Sequence, residues 1–242
     1  MRRDPSAGPM RRVLFIVTVG AIALLGTAGG DAVFGQPAGG ASFEVTVTNL
    51  TRGQTFTPVF VASHREGVTL FTLGQPASPE LATLAEEGNT GPLAALLAQN
   101  PDVLDVADSG PPPGGFVAPG QSKTVTVKAR GGFDHVSVAA MLIPTNDGFF
   151  AVNGLPGPGA NKEIALFSPA YDAGSERNDE LCASIPGPFF AECAGPGGGG
   201  TPAGGEEGYV HIHAGIHGIG DFVPSDRDWR NPVAKITIRR TK

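Results

Sequence analysis

The sequence predicts an all-β protein, an antiparallel β-sandwich of roughly six to nine strands with a short helical insertion. Three observations point there. Short runs of alternating apolar and polar residues recur between Phe43 and Arg240, and a period of two is that of a strand with one buried face. Glycine and proline, 36 and 22 of the 242 residues, punctuate those runs as turns do. The chain beyond its first thirty residues is about 210 residues long, enough for one sizeable core.

Those first thirty residues read differently. Arg2, Arg3, Arg11 and Arg12 precede an apolar run from Val13 to Leu25, and small residues follow from Thr27 to Gly30. Basic start, apolar core and small-residue exit are the parts of a secretory signal peptide over residues 1–30, and the core is short for a membrane span. A retained N-terminal anchor is the alternative, and either Met1 or Met10 serves as the start. A Gly-, Ala-, Pro- and Gln-containing leader follows over 31–42, and 43–242 form the folded domain. Without the first thirty residues the formal charge of −6 becomes about −9. An acidic domain with no basic stripe excludes nucleic acid as the expected partner. The expected location is secreted, periplasmic or cell-surface, with no stable membrane insertion after signal cleavage.

In chain order, Phe43, Val45 and Val47 alternate with Glu44, Thr46 and Thr48 as a first strand. Thr57–Ala62 and Val68–Leu73 are rich in β-branched and aromatic residues and flank a turn at Arg65-Glu66-Gly67, so both are expected as strands. Ser78-Pro79-Glu80 opens a helix with Ser78 as its cap, and Gly88 stops it. Thr90–Gln99 gives a second short helix, with Leu93, Leu96 and Leu97 on one side. This helical pair is expected at an edge or end of the sheet, and the acidic, Pro-rich run 100–120 as an irregular connection. Ser122–Lys128 alternates again, and Gly131-Gly132 turns the chain into Phe133–Ile143. There Val136, Val138, Ala140 and Leu142 share one face while Ala139 and Met141 make the other partly apolar, the mark of a central strand. Phe149–Val152, Lys162–Phe167, Tyr209–His213 and Ala234–Arg240 complete the set. Gly195–Gly208 is expected to be flexible.

The two cysteines, Cys182 and Cys193, lie in one loop of the exported part. In an oxidising compartment that spacing points to a disulfide, stabilising by about 2–3 kcal/mol. No GxSxG, HExxH, GxxxxGK or strand-preceded GxGxxG occurs, so nothing points to catalysis. Trp229, in DWRNP, is expected to pack beneath the last strand.

Two polar constellations remain. Asp147 stands in IPTNDGFF, and Asp172, Glu176, Asp179 and Glu180 crowd YDAGSERNDE. Acids on two loops after strands can converge on one hard cation, which takes oxygen ligands. The strand into IPTND, the DAG turn with a carboxylate four residues after its Asp, and the closing DWRNPVAKITI resemble the spondin domain family, the amino-terminal module of F-spondin and mindin, in its secreted bacterial form. The resemblance runs from Phe43 to Arg240. It implies a sandwich of eight strands with Ca2+ held by Asp147, Asp172 and Glu176, and a role in adhesion or interaction with an extracellular protein, glycan or matrix component. The chain departs from the family pattern in two places. Gly148 stands between the first Asp and its aromatic, and Glu176 stands where the animal members carry Asp. A solvated acidic loop without a cation is the plain alternative.

The second constellation is YVHIHAGIHG. His211 and His213 leave one face of a strand, and His217 follows a glycine-containing turn. Three such histidines suit zinc or copper, which gives the alternative function of a metalloprotein or metalloenzyme. The plainer reading is that His211 and His213 line the polar face of an edge strand, and a third is one larger polar patch shared with the acids.

Overall fold

The computed structural model describes residues 40–187, 192–193, 200 and 204–242. The signal-peptide expectation and residues 31–39 of the leader lie outside the described residues, as does much of the 195–208 run. Gly39–Lys242 form one compact unit.

Two antiparallel sheets face each other, as the alternating runs predict. The smaller sheet is built from β1 (Ser42–Asn49), β5 (Ser122–Lys128), β8 (Glu163–Ser168) and β11 (Ala234–Thr241), in the order β5-β1-β11-β8. The larger contains β3 (Phe60–His64), β4 (Val103–Asp108), β6 (His135–Ile143), β7 (Gly148–Pro156), β9 (Ala170–Asp172) and β10 (His211–Ile212), in the order β10-β9-β7-β6-β3-β4. A two-residue strand, β2 (Thr55–Phe56), pairs with the end of β6. The main core lies between the sheets. Phe43, Val45 and Val47 of β1 with Ile236 and Ile238 of β11 meet Val136, Val138, Ala140 and Leu142 of β6 and Phe150 of β7. Trp229 joins this core, as its position before the last strand suggests.

β6 is buried on both faces. Its second face, with Ala139, carries the helices α1 (Pro79–Glu87) and α2 (Gly91–Ala98), through Leu81, Leu84, Ala85, Leu93 and Leu97. The insertion therefore covers the face of the larger sheet, not an edge or end of it. The apolar second face of β6 is the cause, since a sheet face of Ala and Phe must be covered. Ser78 caps α1 through an N–H bond from Leu81 (3.2 Å), and Gly88 closes it at φ 66°. Only glycine adopts that conformation there without strain.

Two further expectations are corrected. Val68–Leu73 is not a strand. The Leu70 N–H donates to Asn153 Oδ1 (2.6 Å) and Asn153 Nδ2 donates to the Phe71 carbonyl (2.7 Å), so side-chain bonds replace a ladder while Leu70 and Phe71 pack into the second core. Conversely, 100–120 is not wholly irregular, because β4 pairs antiparallel with β3 across a register shift at Ser63/His64. Asp105 and Asp108 hide its pattern, and both serve the fold. Asp105 Oδ2 accepts the Lys128 N–H (2.8 Å) and Asp108 Oδ2 accepts the Thr90 hydroxyl (2.7 Å). β9 and a single helical turn, α3 (Pro224–Arg227), had no sequence signal of their own. Cys182 and Cys193 form the expected disulfide, with Cα atoms 5.5 Å apart.

Candidate metal centre

The polar site grows out of three strand ends. Asp147 sits in the turn from β6 to β7, where the Gly148 N–H donates to the Thr145 hydroxyl (3.0 Å) and that hydroxyl donates to the Leu142 carbonyl (2.5 Å). Gly148 then pairs with Asp172 of β9, and Asp172 pairs with His211 of β10. One register thus crosses three strands and places the acidic turn and the histidine strand side by side. The two constellations are one polar patch, the third of the arrangements the sequence left open.

Gly148 is required by this closeness. A Cβ there would lie 2.9 Å from His213 Cδ2 and 2.7 Å from Thr145 Oγ1, distances that real side chains do not tolerate. The residue that departs from the family pattern is therefore the one that admits the histidine. Gly174, in the DAG turn at φ 65°, plays the matching role opposite Tyr209, whose carbonyl oxygen would stand 2.3 Å from an added Cβ.

Asp147 is wholly buried. Its Oδ2 accepts the N–H groups of Ser175 (2.8 Å) and Glu176 (3.1 Å) and the Ser175 hydroxyl (3.2 Å), while its Oδ1 is buried with no hydrogen-bond partner. Asp172 is also buried. Its Oδ1 accepts the Gly174 N–H (2.8 Å) and its Oδ2 accepts Asn178 Nδ2 (2.7 Å). Burial pushes both carboxyls well above the ordinary carboxylate range. For Asp147 the Asp172 charge is the next cause, and Glu207 raises both further. Removing water from a carboxylate and adding a like charge both disfavour ionisation. Glu176 is buried too, with its Oε1 directed at the backbone of Gly200, where an added Cβ would lie 2.7 Å away.

The histidines divide. His211 Nδ1 lies 3.6 Å from Asp172 Oδ1, too far for a hydrogen bond, and is buried without a partner. His213 Nε2 lies 3.9 Å from Asp172 Oδ2 and is likewise unpartnered, while its Nδ1 accepts the Gly215 N–H (2.9 Å). Burial, with His211 and His217 nearby, lowers the His213 pKa to about 3. The ring is neutral, and the Gly215 bond puts its proton on Nε2. His213 also packs on Trp229, ring centres 5.0 Å apart. His217 has its side chain 57 % exposed and its Nδ1 4.0 Å from Glu180 Oε1.

Asp179 and Glu180 are buckles. Glu180 Oε1 accepts the His217 N–H (2.5 Å), and its Oε2 accepts the N–H groups of Gly218 (2.7 Å) and Ile219 (3.0 Å). Asp179 accepts the Leu181 N–H, the Ser184 hydroxyl and Asn146 Nδ2. Burial raises its pKa, but these donors and Arg177 together hold it below the usual value.

Among the described residues, one trio of potential ligands has atoms all within 4.8 Å of one another: Asp172, Glu207 and His211. It takes one residue from each sequence-derived set and adds Glu207, which sequence reasoning passed over as part of a flexible glycine run. The spacing by twos from His213 and His211 does reach Glu207, but Gly208 turns the chain between them at φ 79° and the strand is only His211–Ile212, so no alternation marks it.

Residues 48–156 match the family model described as Spondin_N. That span runs from the end of β1 to the end of β7 and includes Asp147 but neither Asp172 nor Glu176. No match is found among curated proteins. Residues 48–156, which hold the end of β1, the strands β2 to β7 and the helical insertion, thus support a spondin N-terminal domain in this chain.

Proposed function

We propose that the chain is a calcium-binding module of extracellular adhesion or matrix interaction, with Asp147, Asp172 and Glu176 supplying the protein oxygens. The coarser part follows from the family, whose members are extracellular interaction modules, and the disulfide suits an oxidising compartment. Among the described residues, no helix is long and apolar enough to cross a membrane.

The observation that carries the calcium reading is Asp147 Oδ1, a fully buried carboxylate oxygen with no donor, beside a second buried carboxylate. A buried unpaired charge costs several kcal/mol, and a divalent cation offsets both the desolvation and the Asp147–Asp172 repulsion. A calcium ion on these residues ties the β6–β7 turn to the turn after β9, so it stiffens the loops at one end of the sandwich. Rigid loops on a β scaffold are a common way to present a recognition surface. The partner is an extracellular protein, glycan or matrix component.

The test is the thermal midpoint of the metal-stripped full chain with and without calcium. A ligand that binds only the folded state at a hundredfold excess over Kd stabilises by about 2.7 kcal/mol. Calcium is expected to raise the midpoint of the wild type and not of Asp172→Asn; an unchanged wild-type midpoint at millimolar calcium sinks the reading.

A further inference from the structure

We propose that Asp172, Glu207 and His211 form a site for a borderline transition-metal ion of the zinc class, distinct in its ligands from the calcium set and sharing with it only Asp172.

The geometry of the strand pair argues for it. His211 Nδ1 and Asp172 Oδ1 are 3.6 Å apart, with both residues fixed by the β9–β10 register. Two ligands bound tetrahedrally to one zinc at about 2.0–2.2 Å stand about 3.4 Å from each other, so the pair is held at nearly that spacing. His211 Nδ1 has no hydrogen-bond partner, so no protein donor or acceptor competes for the nitrogen that a metal would take. Glu207 brings the third ligand atom within 4.8 Å of the other two, and as an exposed side chain it can close the remaining gap by rotation. Two carboxylates and a neutral imidazole balance a divalent charge. An imidazole nitrogen in the set selects a transition ion over calcium, which takes oxygen.

His213 is the second, independent pointer. Its side chain is 3 % exposed, and its unpartnered Nε2 is aimed at the other oxygen of Asp172 from 3.9 Å. Because its Nδ1 accepts the Gly215 N–H, Nε2 carries the ring proton and faces the carboxylate as a donor. At 3.9 Å it makes no hydrogen bond to Asp172, so it stands beside the trio as a buried polar group still without a partner and does not itself complete it. Zinc bound here fixes the chain entering β10 to β9 and leaves a fourth coordination position for water or for a donor group of a partner.

The test is calorimetric titration of the untagged, metal-stripped full chain with zinc chloride, with cobalt absorption as a second readout. One ion per chain is expected. Affinity should fall by about tenfold or more in both Glu207→Gln and His211→Gln, and remain at the wild-type value in His217→Ala. Glu207 is exposed, so its variant keeps the fold even if the β10 variant is weakened. Absence of stoichiometric zinc binding, or binding that survives both substitutions unchanged, overturns the site. The calcium reading fails by a different sign, an absent calcium response in the wild type, which leaves the zinc titration untouched.

Discussion

Two pairs of largely buried acids lie within one short stretch of fold and have opposite fates. Asp179 and Glu180 meet donors at nearly every turn: three backbone N–H groups on Glu180, and a backbone N–H, a hydroxyl and an amide on Asp179. Asp147 and Asp172 share a pocket with each other, and Asp147 keeps one oxygen unpartnered. Burial alone does not mark a site. What separates a structural carboxylate from a binding one is whether the fold has already supplied its donors.

The largest expected effect breaks the first pair. Glu180→Ala strands the three N–H groups of the 217–219 loop and should cost about 3–5 kcal/mol, read as a fall in the denaturation midpoint. Calcium should not restore it, because the stranded donors face no cation. A cost below about 1 kcal/mol would show that the loop finds water instead, and that the saturated pair is no buckle.

Next comes the second pair. Asp147→Asn removes one of two repelling charges, so the metal-free protein should be as stable as wild type or more so. The calcium response, about 2.7 kcal/mol at a hundredfold excess, should vanish with it. The same substitution should reshape the pH dependence. The Asp147 carboxyl titrates above its unfolded value of 3.8, so between that value and neutrality the folded chain holds a proton the unfolded chain lacks. Its contribution is present at low pH and lost as pH rises, with a slope of at most about 1.4 kcal/mol per pH unit. Wild-type minus Asp147→Asn stability, measured without metal, should therefore fall from about pH 4 towards 7. Calcium competes with that proton, so its stabilisation should grow over the same window. A flat difference curve would mean that Asp147 is already ionised and satisfied.

Much of the architecture was legible because it is written locally. β1 and β5 alternate along their length and β11 over most of its own, β6 shows the apolar residues of a strand covered on both faces, and Ser78 and Gly88 bracket α1 with side-chain and backbone chemistry visible in the sequence. The acids of the site and the histidines were legible as residue types. Their adjacency was not. It depends on β9, three residues long, whose pairing with β7 and β10 brings Gly148, Asp172 and His211 into line. A strand that short is defined by its neighbours, and no periodicity announces it. Glu207 was lost for the same reason, since only the fold distinguishes a glutamate in a glycine run from a ligand.

The smallest expected effect sharpens the comparison most cheaply. His217 serves the saturated pair through its backbone N–H, while its side chain is mostly exposed and reaches only 4.0 Å from Glu180. His217→Ala keeps the N–H and deletes the ring, so stability should change by no more than about 0.5 kcal/mol. His211 is the contrasting case, because its ring offers an unpartnered nitrogen to Asp172, the acid of the other pair. If His217→Ala leaves both the denaturation midpoint and zinc affinity at wild-type values while His211→Gln lowers zinc affinity, the histidines belong to different pairs of acids. If it lowers zinc affinity as far as His211→Gln does, the ring has swung in to join the others, and the three-histidine arrangement displaces the trio built on Glu207.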